Sequence, residues 1–481
     1  MGVETRNLVG GEWVESSSGE STEIRNPAND EIIAEVPKCG AEETIRALDA
    51  AAEALPDWSR RPAEERSKIL VKFADLMMRD QDRLARIMTN EQGKPLKESS
   101  GEIAYAADFI RWAGEEAKRV YGETIPASSK DKRILVLRQP VGVCVSITPW
   151  NFPAAMITRK LGPALAAGCV MVSKPAEQTP LSAIALGELA IEAGVPAGVF
   201  GIVTGDAETI VDAMIQHDAT RKLSFTGSTE VGRTLMKKCA ERIVRVSLEL
   251  GGHAPLIVFD DADLDTAVEG CVASKFRNAG QTCVCANRIY VQSGVYEEFV
   301  ERLERAIKDL KVGVGTDDGV DIGPLINDDA VEKVQKHIAD AKEHGGTVRV
   351  GGSLKKMGSG LADRFFEPTL IEGMTPDMLL CREETFGPVA PVARFETEHE
   401  AIDRANDTPY GLAAYFFTRD HARLWRVAEG LQYGIVGAND GMPSTAQAPF
   451  GGVKQSGLGR EGGHFAMDEY TEIKYVSIGL G

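Results

Sequence analysis

VGVCVSITP (141–149) decides how this chain is read. Val, Ile and small residues follow one another without a charge, and Thr-Pro closes the run. That pattern marks a strand buried on both faces. The segments after it keep one rhythm. A helical pattern over 157–167 is followed by CVMVSKP (169–175), and a helix over 182–193 by FGIVTG (200–205). A helix over 208–216 leads to KLSFTG (222–227), and a helix over 229–239 to RIVRVSLEL (242–250). Strand–helix alternation at this spacing builds a parallel sheet covered on both faces. Gly and Pro punctuate the strand ends, where ligands bind in such sheets.

Upstream, apolar spacing predicts helices over 42–54, 63–78, 81–90 and 105–120, then a strand over 133–139. Downstream of Gly251 a second alternation begins. APLIVFDDA (254–262), ANRIYVQ (286–292), VAPVARF (389–395), 413–417 and GIVGAND (434–440) read as strands, with helices over 264–276 and 296–310. Two α/β domains in tandem are expected to meet near residues 250–252, with the site in the cleft between them.

Composition bounds the function. The chain has 481 residues, 43% apolar and 26% charged, and a net charge of −18. That balance argues against nucleic acid or an anionic membrane as a partner. The N-terminal residues lack a signal-peptide core and the C-terminal IGLG carries no prenylation box, so a cytoplasmic location is expected. The eight cysteines are scattered and read as reduced thiols. No Cys/His cluster has metal-ligand spacing, and no metal is expected.

Three residues could carry chemistry. Cys283, in FRNAGQTCVC (276–285), follows a polar, loop-like run. It is either a nucleophile, which needs a dipole or helix N-terminus to ionise, or a buried small residue. Glu249 ends an apolar strand before two glycines, either as a general base or as a turn cap. Asn151, between two prolines in PWNFP (149–153), either aims its amide at an oxyanion or bonds only to a turn. For a cofactor, Lys174 and Glu177 follow a strand in KPAEQTP (174–180). An acid there can accept both ribose hydroxyls and would repel a 2′-phosphate. Gly227, Ser228 and Gly232 in FTGSTEVG (225–232) open a helix whose N–H groups suit a pyrophosphate, without G-x-G-x-x-G spacing.

Taken in order, PWNFP, KPAEQTP, FTGSTEVG, LELGG (248–252), GQTC (280–283) and EETFGP (383–388) resemble the aldehyde dehydrogenase superfamily over essentially the whole chain. The resemblance implies two Rossmann-like parallel-sheet domains and a small β oligomerisation arm. Residues 1–121 and 141–250 would form the NAD-binding domain and 251–450 the catalytic domain. Residues 122–140 and 451–481 would form the arm and C-terminal segment, the 122–140 hairpin pairing with a strand near 473–477. A homodimer or homotetramer is implied.

The implied mechanism is covalent. The Cys283 thiolate attacks the aldehyde, and the Asn151 amide and Cys283 N–H hold the oxyanion. Hydride goes to the nicotinamide, and Glu249 activates the water that hydrolyses the thioester. Trp150, Leu250, Glu384 and Phe386 join Lys174, Glu177, Gly227, Ser228 and Gly232 as cofactor-binding positions. Glu177 favours NAD over NADP, since related NADP enzymes carry a small residue there.

ITRKLGPALAAGC (157–169), SKFRNAGQTCVCANR (274–288), APFGGVKQSGLGREG (448–462) and EIKYVSIGL (472–480) look like succinate-semialdehyde dehydrogenases. Arg159, Arg277 and Ser444 stand in that group's anion-binding positions, and Arg suits bidentate carboxylate recognition. A small anionic aldehyde is the implied substrate. Glutarate semialdehyde or sulfolactaldehyde would meet the same arginines, and the loop NDGMPSTAQAPFGG (439–452) departs from the best-known semialdehyde enzymes. His253 stands where Asn or Lys is expected. Cys285 would form a reversible disulfide with Cys283 under oxidation, as in some relatives with C-x-C here. Three other classes fit less well. A CoA-acylating enzyme needs no Glu249, a structural protein on this fold would lack the catalytic residues, and a plain hydrolase would lack the cofactor motifs.

Overall fold

The computed structural model describes residues 2–480; Met1 and Gly481, at the outer limits of the expected segments, lie outside the described residues. The 141–250 region forms the core of an eight-stranded sheet. From edge to edge its strands are Gly457–Leu458, Arg245–Glu249, Thr220–Thr226, Val143–Ile147, Val170–Lys174, Phe200–Ile202, Asn7–Val9 and Glu12–Val14. The five inner strands are parallel, in register Ser224 to Ser146 and Ser146 to Ser173. Their uninterrupted apolar runs follow from burial on both faces. The edge strand Gly457–Leu458 comes from the 451–481 stretch expected to form the arm and C-terminal segment. Its antiparallel pairing with Leu248 and Glu249 ties that segment to the first sheet.

The second sheet has seven strands, in the order Thr347–Val350, Thr369–Glu372, Val389–Phe395, Ala286–Gln292, Ala254–Val258, Ala413–Phe417 and Ile435–Ala438. The first sheet gives up the chain at Glu249 and the second takes it up at Ala254, so Leu250–His253 bridge the two. A third sheet pairs Glu123–Ile125 with Lys132–Pro140, and that strand with Thr471–Gly479, Tyr475 opposite Val136.

Two helices bring the cleft together. Ala155–Ala167 is buried along its whole length between the first sheet and the helix Leu96–Glu116. It still carries Arg159 and Lys160, and charges in such a place need partners. The helix at Leu96–Glu116 begins nine residues before the expected Tyr105. Its first turns, LKESSGE, look polar enough to be a loop. Pro95 presets the start, and Ile103, Ala106 and Ile110 pack into the core. Glu98, Glu102 and Tyr105 lie at i, i+4 and i+7, on the face turned to the cleft.

Candidate active site

The helix Leu264–Phe276 ends in a short 3₁₀ turn, Arg277–Gly280. Asn278, Ala279 and Gly280 have φ of 51°, 55° and 73°, all left-handed. The two non-glycine residues each cost about 1–2 kcal/mol there, so something must hold them. Glu98 Oε2 accepts the Asn278 N–H at 2.8 Å, and Gln92 Nε2 donates to Asn278 Oδ1 at 2.9 Å. Asn278 Nδ2 donates to the Asn151 carbonyl at 3.0 Å. Lys94 Nζ reaches that same carbonyl at 2.6 Å while paired with Glu102 at 2.5 Å. One buried network therefore fixes the Asn151 loop and the Cys283 loop together. Sequence reading missed Gln92, Lys94, Glu98 and Glu102. Their signal was ionisable and amide residues at helical spacing among buried positions.

The loop delivers Cys283 to the wall of a cavity of about 460 Å³. Arg159, Arg277 and Ser444 line the same cavity, with Glu98, Tyr105 and Phe152. The Cys283 thiol sits in a turn before the strand Ala286–Gln292. Burial pushes it up to about 12, with the positive charge of Arg159 opposing. Burial therefore favours the neutral thiol, which must lose its proton before it attacks. Cys285 points the other way: fully buried, its Sγ donates to the Lys275 carbonyl at 3.3 Å. A Cys283–Cys285 disulfide therefore requires Cys285 to leave this bond and turn toward the cavity.

The two arginines differ. Arg159 is 1% exposed, with its guanidinium carbon 3.7 Å from the centre of the Phe450 ring. Its Nε lies 2.8 Å from Glu461 Oε2, while Nη2 has no hydrogen-bond partner among the described residues. Lys160 also pairs with Glu461. Arg277 is half-buried, over the Phe152 ring at 5.2 Å and 3.8 Å from Met442 Sδ. No carboxylate among the described residues forms an ion pair with it. Ser444 Oγ shares a hydrogen bond with the Tyr105 hydroxyl.

Glu249 is 4% exposed, and its Oε2 has no hydrogen-bond partner among the described residues. Burial, reinforced by the nearby Glu461 charge, holds its carboxyl well above the usual range; Arg159, Lys160 and Arg460 act against this. Gly451 leaves room for it, since a Cβ there would stand 2.9 Å from Glu249 Oε1. Asn151 Nδ2 spends one N–H on the Gln281 carbonyl at 3.0 Å, which leaves its second N–H available. Gly252 allows the bridge between the sheets to touch the nucleophile loop: a Cβ there would lie 2.3 Å from the Cys283 carbonyl oxygen. The next residue, His253, is buried. Its Nε2 donates to the Cys381 carbonyl at 2.9 Å, and burial keeps the ring neutral.

On the other side of Cys283 lie the expected cofactor positions. Glu384 Oε1 accepts the Gly252 N–H at 3.2 Å, and burial raises its carboxyl to about 7. Phe386, with φ of 56°, meets the Trp150 ring edge-on at 5.6 Å. Leu250 packs beneath Gly232, where a Cβ would be 2.4 Å from its Cδ2. Ser228 caps the helix Thr229–Ala240 by accepting the Val231 N–H at 3.3 Å, and the first-turn N–H groups beside it face outward. Lys174 and the exposed Glu177 form an ion pair at the end of the strand Val170–Lys174. A carboxylate for ribose hydroxyls, a capped helix start for phosphates and two aromatic rings near Cys283 are donors and surfaces that fit a nicotinamide dinucleotide.

Comparison with known proteins places this geometry. The aldehyde dehydrogenase family model matches residues 13–476. A succinate-semialdehyde dehydrogenase [NADP(+)] of Escherichia coli K12 is 58% identical, over 98% of this chain and 97% of its own length. A glutarate-semialdehyde dehydrogenase of Pseudomonas aeruginosa is 57% identical, over 98% and 97%. The crystal structure of a succinate-semialdehyde dehydrogenase from Burkholderia pseudomallei superposes with a TM-score of 0.97 at 54% identity, covering 99% of this chain and 98% of its own. With its motifs gathered around one cysteine and its full length matched, the chain belongs to the aldehyde dehydrogenase family.

Proposed function

We propose that the protein oxidises succinate semialdehyde to succinate with NAD. The observation that carries this reading is Arg277. It has no ion-pair partner among the described residues and lines the same cavity as Cys283 and Arg159, whose Nη2 is also unpartnered there. Two guanidinium groups with spare donors in a confined, partly apolar space are matched to an anionic end group. Ser444 and Tyr105 add hydroxyls beside them.

Cys283 Sγ adds to the aldehyde carbon as the thiolate, and Glu249, ionised, deprotonates the water that then hydrolyses the thioester. The second Asn151 N–H and the Cys283 N–H stabilise the oxyanion, worth about 3 kcal/mol for each donor of this kind. A bound nicotinamide supplies the hydride acceptor. Trp150, Phe386 and Glu384 would hold its ring and ribose, and Gly227, Ser228, Gly232 and Leu250 the phosphate and adenosine side. Glu177 favours NAD, because its carboxylate neutralises Lys174 and would repel a 2′-phosphate. Glutarate semialdehyde and sulfolactaldehyde are the alternative substrates, since both present an anion to the same arginines. The exposed Ile473 and Tyr475 of the third sheet are apolar surface that a second copy of the chain would cover, in a homodimer or homotetramer.

The direct test follows absorbance at 340 nm with succinate semialdehyde, glutarate semialdehyde, sulfolactaldehyde and butanal, each with NAD and NADP. The highest kcat/KM is expected for succinate semialdehyde with NAD. A preference for butanal over all three anions would overturn the reading.

A further inference from the structure

The cavity holds a group that does not suit an anion's seat. Glu98 lines it together with Arg159, Arg277 and Cys283. Its Oε2 accepts the Asn278 N–H at 2.8 Å, and its Oε1 takes no hydrogen bond from the described residues. Charges surround it from every side. Behind it, Lys94 is already engaged by Glu102 at 2.5 Å and by the Asn151 carbonyl at 2.6 Å. From the nucleophile loop comes Arg277, which makes no ion pair with it. Lys97, the residue before it in the helix, and Asp321 line the same cavity. An ionised Glu98 would set a negative charge beside the place where Arg277 should receive one. A neutral Glu98 would still accept the Asn278 N–H on one oxygen and keep an O–H on the other.

We propose that Glu98 is a specificity-determining residue: as a neutral acid it donates its Oε1–H to the charged end of the aldehyde held by Arg277, and as a carboxylate it repels that end. This rests on the reading of the substrate as an anionic aldehyde. Burial supports it, raising the Glu98 carboxyl to about 7, while Lys94, the Asn278 N–H and Arg277 pull the other way and Glu102 adds to the rise. The group therefore changes charge where the enzyme works. Anions should bind best below pH 7 and lose affinity above it.

The experiment compares kcat/KM for succinate semialdehyde and for butanal between pH 6 and 8.5, in the full-length protein and in Glu98→Gln. The ratio of the two values removes titrations that both substrates share, those of Cys283 and Glu249. The substrate's own carboxyl is ionised throughout the interval. The ratio should fall roughly tenfold as pH rises in the parent, as expected for one charge placed beside another, and stay level in Glu98→Gln, whose amide keeps both an acceptor and a donor. An equal fall in Glu98→Gln, or a level ratio in the parent, would overturn the proposal. Inhibition of butanal oxidation by butanoate gives a second reading on the parent alone. Its inhibition constant should rise about as much over the same interval, and a constant value would also overturn it. If butanal is oxidised and succinate semialdehyde is not at any pH, the substrate reading itself fails and the role of Glu98 goes with it.

Discussion

Toward the cavity, the Cys283 loop meets Arg159, Arg277 and Glu98, all with polar atoms left over after their protein contacts. On the proposed cofactor side, Glu384, Lys174 and Glu177 have taken one another or the backbone as partners. The first surface is held by a buried network from Gln92 to Glu102, so its spare donors cannot relax onto neighbours. The second lies at the end of the strand Val170–Lys174 and the start of the helix Thr229–Ala240. The contrast teaches that the substrate side is preorganised. On the proposed cofactor side a bound dinucleotide would compete with the Gly252 N–H for Glu384 and with Lys174 for Glu177.

The largest effect should come from Glu249, between the two sides. Glu249→Gln is expected to keep a single burst of NADH and slow the steady state by about 10²–10⁴-fold, because only the hydrolytic step loses its base. Rapid mixing at 340 nm measures both phases, and an equal loss of burst and steady state would contradict the assignment. The same carboxyl gives the pH dependence its sign. Burial and the Glu461 charge hold its pKa above the usual carboxylate range, so its ionised fraction, and with it steady-state turnover of the parent, should climb with rising pH.

Arg277→Ala tests the preorganised side alone. It should lower kcat/KM for succinate semialdehyde by about 10- to 100-fold, the range for a hydrogen bond to a charged partner, and leave butanal nearly untouched. Equal losses for the two aldehydes would show that Arg277 supports the loop rather than the substrate.

Glu177→Ser probes the exchangeable side. Releasing Lys174 and removing one negative charge should improve kcat/KM for NADP by roughly tenfold relative to NAD. An unchanged ratio would break the idea that this pair selects the nucleotide. The smallest change is expected for Cys285→Ala, which should retain activity and lose only the dithiothreitol-reversible part of peroxide inactivation. Rescue identical to the parent would exclude Cys285 as a brake. The buried Lys275 contact already makes that brake costly to engage.

Much of the fold was legible because strands buried on both faces write themselves as apolar runs. The strands Ala286–Gln292, Val389–Phe395 and Ala413–Phe417 and the helix Leu264–Phe276 fall where the periodicity puts them. The start of the helix Leu96–Glu116 was not legible, since its first turns carry the polar face that enters the site. Nor was the place of Gly457–Leu458, because a two-residue edge strand has no period of its own.

The sequence by itself determined the alternation of strands and helices, the order of the motifs and the identities of Cys283, Glu249, Asn151 and the arginines. Those follow from local pattern and residue chemistry. Only the tertiary structure decided that Cys283 faces a cavity while Cys285 faces the core, that Arg159 shares its charge with Glu461, and that Glu98 stands near Arg277. The physical reason is that burial and the nearness of charges set each group's protonation and its spare hydrogen bonds. For Arg159 and Glu98 those neighbours lie more than a hundred positions away in the chain.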